Sequence, residues 1–201
     1  MSSVDRDLGI DTSGWVWLSR LRIPSRDRKS GVRYEPIDSG TFTEAMRCVP
    51  DDFSDATFID CGCGKGRALA LAYSLGWRDL VGVEFAPYLA NCARKNMAAF
   101  TDARTEILTI SASDYVFPRK CIVVYMFNPF ECDVMKVVVE HLAASEAKGY
   151  VVYCNPKHRS LFDSYSQFEP IDLGYPANLK KKGCSFSFAI WKFSGSKASD
   201  R

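Results

Sequence analysis

From residue 57 onward the chain alternates short β-branched runs with longer segments of three-and-four apolar spacing, and few folds accept that alternation. The runs are TFIDC (57–61), LVGVEF (80–85), TEILTI (105–110), CIVVYMFN (121–128) and YVVYCN (150–155). Between them lie KGRALALAYSLG, PYLANCARKNMAAF and ECDVMKVVVEHLAASEAKG, each with its apolar residues on one side of a helix. Gly76 suits a helix C-terminus, Pro87 a first turn, and Glu131 and Asp133 the positive end of a helix dipole. Strand, helix, strand, repeated, predicts a parallel sheet covered by helices. Two last runs, QFEPIDLG (167–174) and FSFAIWKF (186–193), are joined by a loop holding YPANLKKKG, too short and proline-bearing for a crossover helix, and so predict an antiparallel pair. The expected fold is α/β: a three-layer Rossmann-like sandwich on a mostly parallel seven-stranded sheet with an antiparallel C-terminal hairpin strand.

A chain of 201 residues, 47% hydrophobic and 25% charged, suits one domain with a full core. Residues 1–45 read as an N-terminal arm and lid without a core of its own, WVWLSRL being a short amphipathic piece and Phe42 to Cys48 the first solid helix. Residues 46–195 form the domain and 196–201 a disordered tail. The formal net charge of +2 demands neither nucleic acid nor an anionic membrane as partner. The clusters Arg26, Arg28, Lys29 and Lys180, Lys181, Lys182 read as solvated loops. MSSVDRDLGI lacks the basic start and apolar run of a secretory signal, and no apolar stretch approaches the ~20 residues that span a bilayer, so a cytoplasmic location is expected. Cys61, Cys63, Cys121 and Cys154, four of eight cysteines, lie in or beside interior runs, as buried thiols in a reducing compartment do. Cys61 and Cys63 form a C-x-C with no familiar spacing to His141 or His158, so no metal site is expected.

The stretch FIDCGCGKGR carries the first functional signal. Glycines weaken a strand end, but they let backbone approach a ligand and tolerate positive φ. In an open parallel sheet such a turn sits at the carboxyl ends of the strands, where ligands bind, and the next helix aims its N-terminal amides at the same place. A dinucleotide site uses G-x-G-x-x-G. Here Gly62, Gly64 and Gly66 follow G-x-G-x-G, and Arg67 stands where that pattern needs glycine. Asp60, two residues before the first glycine, repels a pyrophosphate and welcomes an ammonium. Glu84, at the end of the second strand, stands where an acid accepts both ribose hydroxyls. A nucleoside bearing an amino acid satisfies all three.

FIDCGCGKGR, VGVEF and YMFNPF, in this order and spacing, resemble the class I S-adenosylmethionine-dependent methyltransferases over roughly residues 55 to 193. The resemblance implies S-adenosyl-L-methionine as cofactor. Asp60 and the Gly62, Gly64, Gly66 loop would hold its methionine part, Glu84 its ribose, and Phe85 would flank its adenine. That family often places an acid after the third strand to meet the adenine amine. In ISASDYVF the aligned place holds Ser111, with Asp114 three residues on, so Ser111 and Ala112 are expected as the wall of the adenine pocket. Tyr34, in VRYEPI, stands at the interval from which related enzymes fold an aromatic over the cofactor, and an aromatic face suits a sulfonium. Residues 31–43 would then be a lid that orders on cofactor binding.

FNPF, Phe127 to Phe130, ends the fourth strand, where that family holds the group nearest the transferred methyl. The Asn128 side-chain carbonyl and the Pro129 carbonyl could accept hydrogen bonds from an amine and turn its lone pair towards the methyl carbon, which makes Asn128 and Pro129 the catalytic candidates. The motif is similar to the Asn-Pro-Pro-Tyr or Asn-Pro-Pro-Phe of enzymes that methylate adenine or glutamine amides, with one proline missing. CNPKH repeats the pair as Asn155 and Pro156 and reads as a turn into a helix. The expected function is methyl transfer to a nitrogen or oxygen nucleophile. A protein side chain, a base amine and a small molecule remain open as acceptors; nucleic acid is not favoured by the charge, and no membrane partner is expected. A non-catalytic cofactor-binding subunit and a nicotinamide-dependent oxidoreductase are the alternatives.

Overall fold

A computed structural model of the chain describes residues 3–31, 33–49, 55–174 and 183–195. The expected tail at 196–201 and the lysine cluster at 180–182 lie outside the described residues. Five helices and seven strands are described: α1 (Ser3–Leu8), α2 (Ser39–Arg47), β1 (Thr57–Cys61), α3 (Arg67–Ser74), β2 (Asp79–Val83), α4 (Pro87–Met97), β3 (Arg104–Leu108), β4 (Cys121–Phe127), α5 (Cys132–Ala144), β5 (Lys148–Cys154), β6 (Phe168–Pro170) and β7 (Phe188–Ser194). Short 3-10 turns at Leu18–Arg20, Arg26–Ser30, Ala112–Asp114 and Arg159–Ser164 complete the regular structure.

The strands form one sheet in the order β3-β2-β1-β4-β5-β7-β6. β1 to β5 run parallel, and β7 enters antiparallel between β5 and β6. This is the Rossmann-like sheet that the alternating runs predict, with the antiparallel pair at its end.

Burial explains why the inner strands read as unbroken apolar runs. Every residue of β1 is buried, and β4 and β5 are exposed only at their ends, because helices cover both faces. Successive residues alternate between two cores. Phe58, Val123, Tyr125, Tyr150 and Val152 face the layer holding α2, α3 and α4; Ile59, Ile122, Val124, Val151 and Tyr153 face the layer of α5. Edge strand β3 is only partly covered, which its polar positions allow.

α2 starts three residues before the expected Phe42 because Asp38 caps it: the Asp38 side chain accepts from the Thr41 amide at 2.8 Å. The arm contains one helix that the sequence did not announce, α1. Six residues make a marginal helix, so α1 depends on tertiary contacts. Arg67 supplies them. Its guanidinium is buried on α3 and donates to Asp5 Oδ1 at 3.2 Å, to Thr12 Oγ1 at 3.0 Å and to the carbonyl of Ile37 at 2.5 Å. One side chain thus ties three points of the arm to the domain. Among the described residues no helix is long and apolar enough to cross a membrane.

Candidate functional site

The strand order reverses between β1 and β4, and a cleft opens at the carboxyl ends of those strands, where such sheets bind ligands. It encloses about 750 Å³ when the solvent space of its open mouth is counted. Asp60 and the Gly62 to Gly64 turn come from β1, Glu84 and Phe85 from β2, Tyr125 and Phe127 to Phe130 from β4, and Asn155 from β5. Arg33 to Ile37 of the arm form the opposite wall. Of the residues singled out from sequence, Tyr34, Asp60, Gly62, Gly64, Glu84, Phe85, Asn128 and Pro129 meet here.

Gly62 and Gly64 both have positive φ, +89° and +56°, and both are needed for packing. A β-carbon on Gly62 would lie 2.5 Å from Cβ of Pro129, and one on Gly64 would clash with Cδ2 and Cε2 at the edge of the Tyr34 ring. The glycine turn is therefore sandwiched between the β4 motif and the arm. Tyr34 is fixed in that place by its hydroxyl, which donates to the carbonyl of Thr12 at 2.6 Å, and by a paired bridge to Val16. Gly66 lies outside the cleft: at φ +85° it starts α3 and packs against Ala93 of α4.

Glu84 closes the turn from the other side. Its Oε2 accepts from the Gly64 amide and its Oε1 from the Ala86 amide, both at 2.9 Å. Burial nevertheless pushes its carboxyl up to about 7, against the pull of those amides. Asp60 is 4% exposed, and no donor among the described residues reaches its side chain. Burial, and then the neighbouring Glu84 charge, raise it well above the usual carboxylate range. A buried carboxylate without a donor on a cleft wall is a place prepared for a cation.

Ser111 and Ala112 do not line this cleft. Ser111 belongs to an adjacent depression that shares Phe85 with it, and its hydroxyl is bonded to Asp27 of the arm at 2.5 Å, as is that of Ser113. Asp27 thus brings a carboxylate to the place after β3 where the sequence offers serine. Nothing local to ISASDYVF could have signalled a partner 84 residues upstream.

At the floor, the sequence motif and its repeat come together. Asn128 and Asn155 follow paired residues of neighbouring strands, Phe127 and Cys154, and the Asn128 amide donates to the Cys154 carbonyl at 3.1 Å. They are the two non-glycine residues with positive φ among the described residues, at 37° and 49°. Such conformations cost about 1–3 kcal/mol each and concentrate at functional sites. The Tyr153 hydroxyl lies 3.5 Å from Asn128 Oδ1. Asn155, read from sequence as a turn residue, is therefore also a cleft residue; the repeated Asn-Pro was the signal.

No protein-family model matches the sequence, and no curated protein sequence matches it. Solved structures do match in fold. A putative methyltransferase, yhhF, from Escherichia coli superimposes with a TM-score of 0.57 at 15% identity, covering 88% of this chain and 92% of that one. Geranyl diphosphate C-methyltransferase from Streptomyces coelicolor A3(2), solved with Mg2+, geranyl diphosphate and S-adenosyl-L-homocysteine, gives 0.55 at 12% identity, covering 79% and 78%. A possible methylase from Clostridium difficile 630 gives 0.56 at 12% identity over 83% of this chain, which spans 55% of that protein. The fold is that of the Rossmann-like methyltransferases.

Proposed function

We propose that the cleft binds S-adenosyl-L-methionine and that the protein transfers its methyl group to a nitrogen or oxygen nucleophile, a nitrogen being the better fit to Asn128. The observation that carries this reading is Asp60: a buried carboxylate, reached by no donor among the described residues, on the same wall as Glu84 and facing a left-handed asparagine across one cleft. These residues fit the cofactor. Asp60 would take its ammonium, Glu84 its ribose hydroxyls through the lone pairs left free by Gly64 and Ala86, and Phe85 its adenine. The bound cofactor supplies a methyl group already activated on a sulfonium.

The chain itself then has little acid–base work to do. Its task is to position a lone pair and exclude water, which in well-oriented intramolecular reactions is worth about 7–11 kcal/mol. Asn128 Oδ1 and the Pro129 carbonyl would hold the N–H groups of the acceptor amine, leaving its lone pair towards the methyl carbon. Tyr34 and its neighbours in the arm would keep water from the sulfonium, as the wall of a lid that orders further when the cofactor is bound. The fold and the Asp60–Glu84 pair support an S-adenosylmethionine site over a nicotinamide site, because a dinucleotide needs glycine where Arg67 stands.

The test has two stages. Calorimetry should register S-adenosylmethionine binding to the wild-type protein and none to Asp60→Ala with Glu84→Ala. Tritiated cofactor added to a native lysate should then label an acceptor with wild type and not with Asn128→Ala. Undiminished binding by the double variant removes the reading; binding without labelling favours a cofactor-binding subunit.

A further inference from the structure

The small net charge of the chain conceals a strong local imbalance. Residues 13–34 carry Arg20, Arg22, Arg26, Arg28, Lys29 and Arg33 against Asp27 alone, taking six of the 26 basic residues and one of the 24 acids. The remainder of the protein is therefore net acidic. All six bases are exposed. Arg26 pairs with Asp114 and Arg33 with Glu35, while Arg20, Arg22, Arg28 and Lys29 have no ion-pair partner among the described residues. The one acid is already engaged, by the hydroxyls of Ser111 and Ser113.

The same stretch displays two indoles. Val16 pairs with Tyr34 as an extended residue and packs inward on Leu18 and its neighbours. Alternation along an extended chain then sends Trp15 and Trp17 together to the outer face. They are 63% and 51% exposed, among the most exposed large apolar side chains described. The Arg33 guanidinium lies 4.7 Å from the ring centroid of Trp15 and 5.6 Å from that of Trp17. Arg33 is at once part of this aromatic group and part of the cleft wall.

We propose that this basic, aromatic rim binds single-stranded nucleic acid, with phosphates on the arginines and lysine of the arm and unpaired bases stacked on Trp15 and Trp17. Aromatic faces interleaved with cations are how proteins hold single strands without a base-specific code. Inside the cleft Arg33 is paired with Glu35 and Arg67 with Asp5, so the cations that have no ion-pair partner among the described residues lie along the arm, and the backbone stays there while an uncharged base can enter. A duplex keeps its base faces stacked and offers the indoles nothing. An acidic peptide would use the charges and leave the indoles in water. Insertion of the indoles into an anionic bilayer would drag in Arg33, which lies against both rings, at a desolvation cost.

Fluorescence anisotropy with labelled oligothymidylate and oligoadenylate of about 20 nucleotides tests the proposal. The expected result is micromolar binding at about 50 mM salt that weakens roughly 50-fold at about 200 mM if four phosphates are neutralised. It is accompanied by quenching of tryptophan fluorescence. Trp15→Ala with Trp17→Ala should weaken binding at least about 10-fold. Because that variant could also disturb the arm, Arg20→Glu with Arg22→Glu serves as a second probe: it should weaken binding and flatten the salt dependence. The proposal is overturned by no anisotropy change up to roughly 100 µM protein, by unchanged binding in both variants, or by equal binding of a blunt duplex of the same length. Full competition by polyglutamate, or preference for phosphatidylserine vesicles over the oligonucleotides, overturns it as well. None of these outcomes bears on cofactor binding, which calorimetry reads separately.

Discussion

The backbone amide of Gly64 donates to Oε2 of Glu84 at 2.9 Å, so the carboxylate at the tip of β2 holds the glycine turn at the tip of β1. The two strands are hydrogen-bonded neighbours through Cys61 and Val83, and the bond extends their pairing into the loops beyond them. Glu84 accordingly has a structural part as well as a proposed ligand-binding one. It shapes the turn against which Pro129 and Tyr34 pack, before any ligand arrives.

Replacing Glu84 by alanine removes the acceptor of two buried amides, those of Gly64 and Ala86, at about 1–3 kcal/mol each. Thermal unfolding should fall by on the order of 10 °C, at roughly 2–4 °C per kcal/mol for a domain of this size. Glu84→Gln keeps one carbonyl acceptor and should recover about half of that loss, yet still bind S-adenosylmethionine more than about 10-fold more weakly by calorimetry. A melting temperature unchanged in the alanine variant would show that the turn holds its shape unaided.

Acid should oppose cofactor binding. Glu84 is raised on folding from 4.5 to about 7 and Asp60 well above its ordinary value, both mainly by burial. For a carboxyl raised on folding, the stabilisation is fully present below its unfolded pKa and lost as pH rises through its folded pKa. The ligand-free protein should therefore lose stability between about pH 5 and pH 8, and Glu84→Gln should flatten that decline. A bound ammonium and sulfonium favour the ionised acids, so affinity should rise with pH through about 7, by up to tenfold per unit for each proton released. Titrations in buffers of different ionisation heat would count those protons.

What was legible in the sequence follows from how local each feature is. β1 could be read to the residue because five buried positions end in glycines that no strand interior keeps. β2 and β3 were read one residue late at their starts, because half-covered Asp79 and exposed Arg104 extend the strands ahead of their apolar runs. Asp60, Glu84 and Asn128 stand at strand tips, where spacing alone locates them. The arm was opaque for the opposite reason. Arg67 reaches Asp5 across 62 residues and Asp27 reaches Ser111 across 84, and such pairs leave no periodic trace. The net charge of +2 likewise hides the basic stretch of residues 13–34, since a sum over the chain averages it with an acidic remainder.

Arg67 should be the residue on which the arm depends. Asp5 is fully buried, and breaking a buried pair by removing one partner costs about 3–5 kcal/mol. Arg67→Met should therefore lower stability by that order and expose residues 3–37 to limited proteolysis while the sheet persists. Arg67→Met with Asp5→Leu, which removes the stranded charge, should regain most of the stability. If the arm acts as a lid, S-adenosylmethionine should slow its cleavage in the wild-type protein; rates unaffected by the cofactor would argue against that role.

The paired asparagines separate strain from function. At φ 49° Asn155 pays for a left-handed backbone that glycine adopts freely. Asn155→Gly should then leave the melting temperature equal or raise it slightly, whereas Asn155→Val, β-branched and intolerant of positive φ, should lower stability by about 1–3 kcal/mol. Were Asn155 only a turn residue, the glycine variant would label a lysate with tritiated cofactor as well as wild type. If its carboxamide works beside Asn128 on the acceptor, labelling should fall in Asn155→Gly at unchanged cofactor affinity, and fall further in Asn128→Ala. Tyr153→Phe, which removes the hydroxyl beside Asn128 Oδ1, should give a smaller loss of the same kind, because it frees the carboxamide to rotate without removing it.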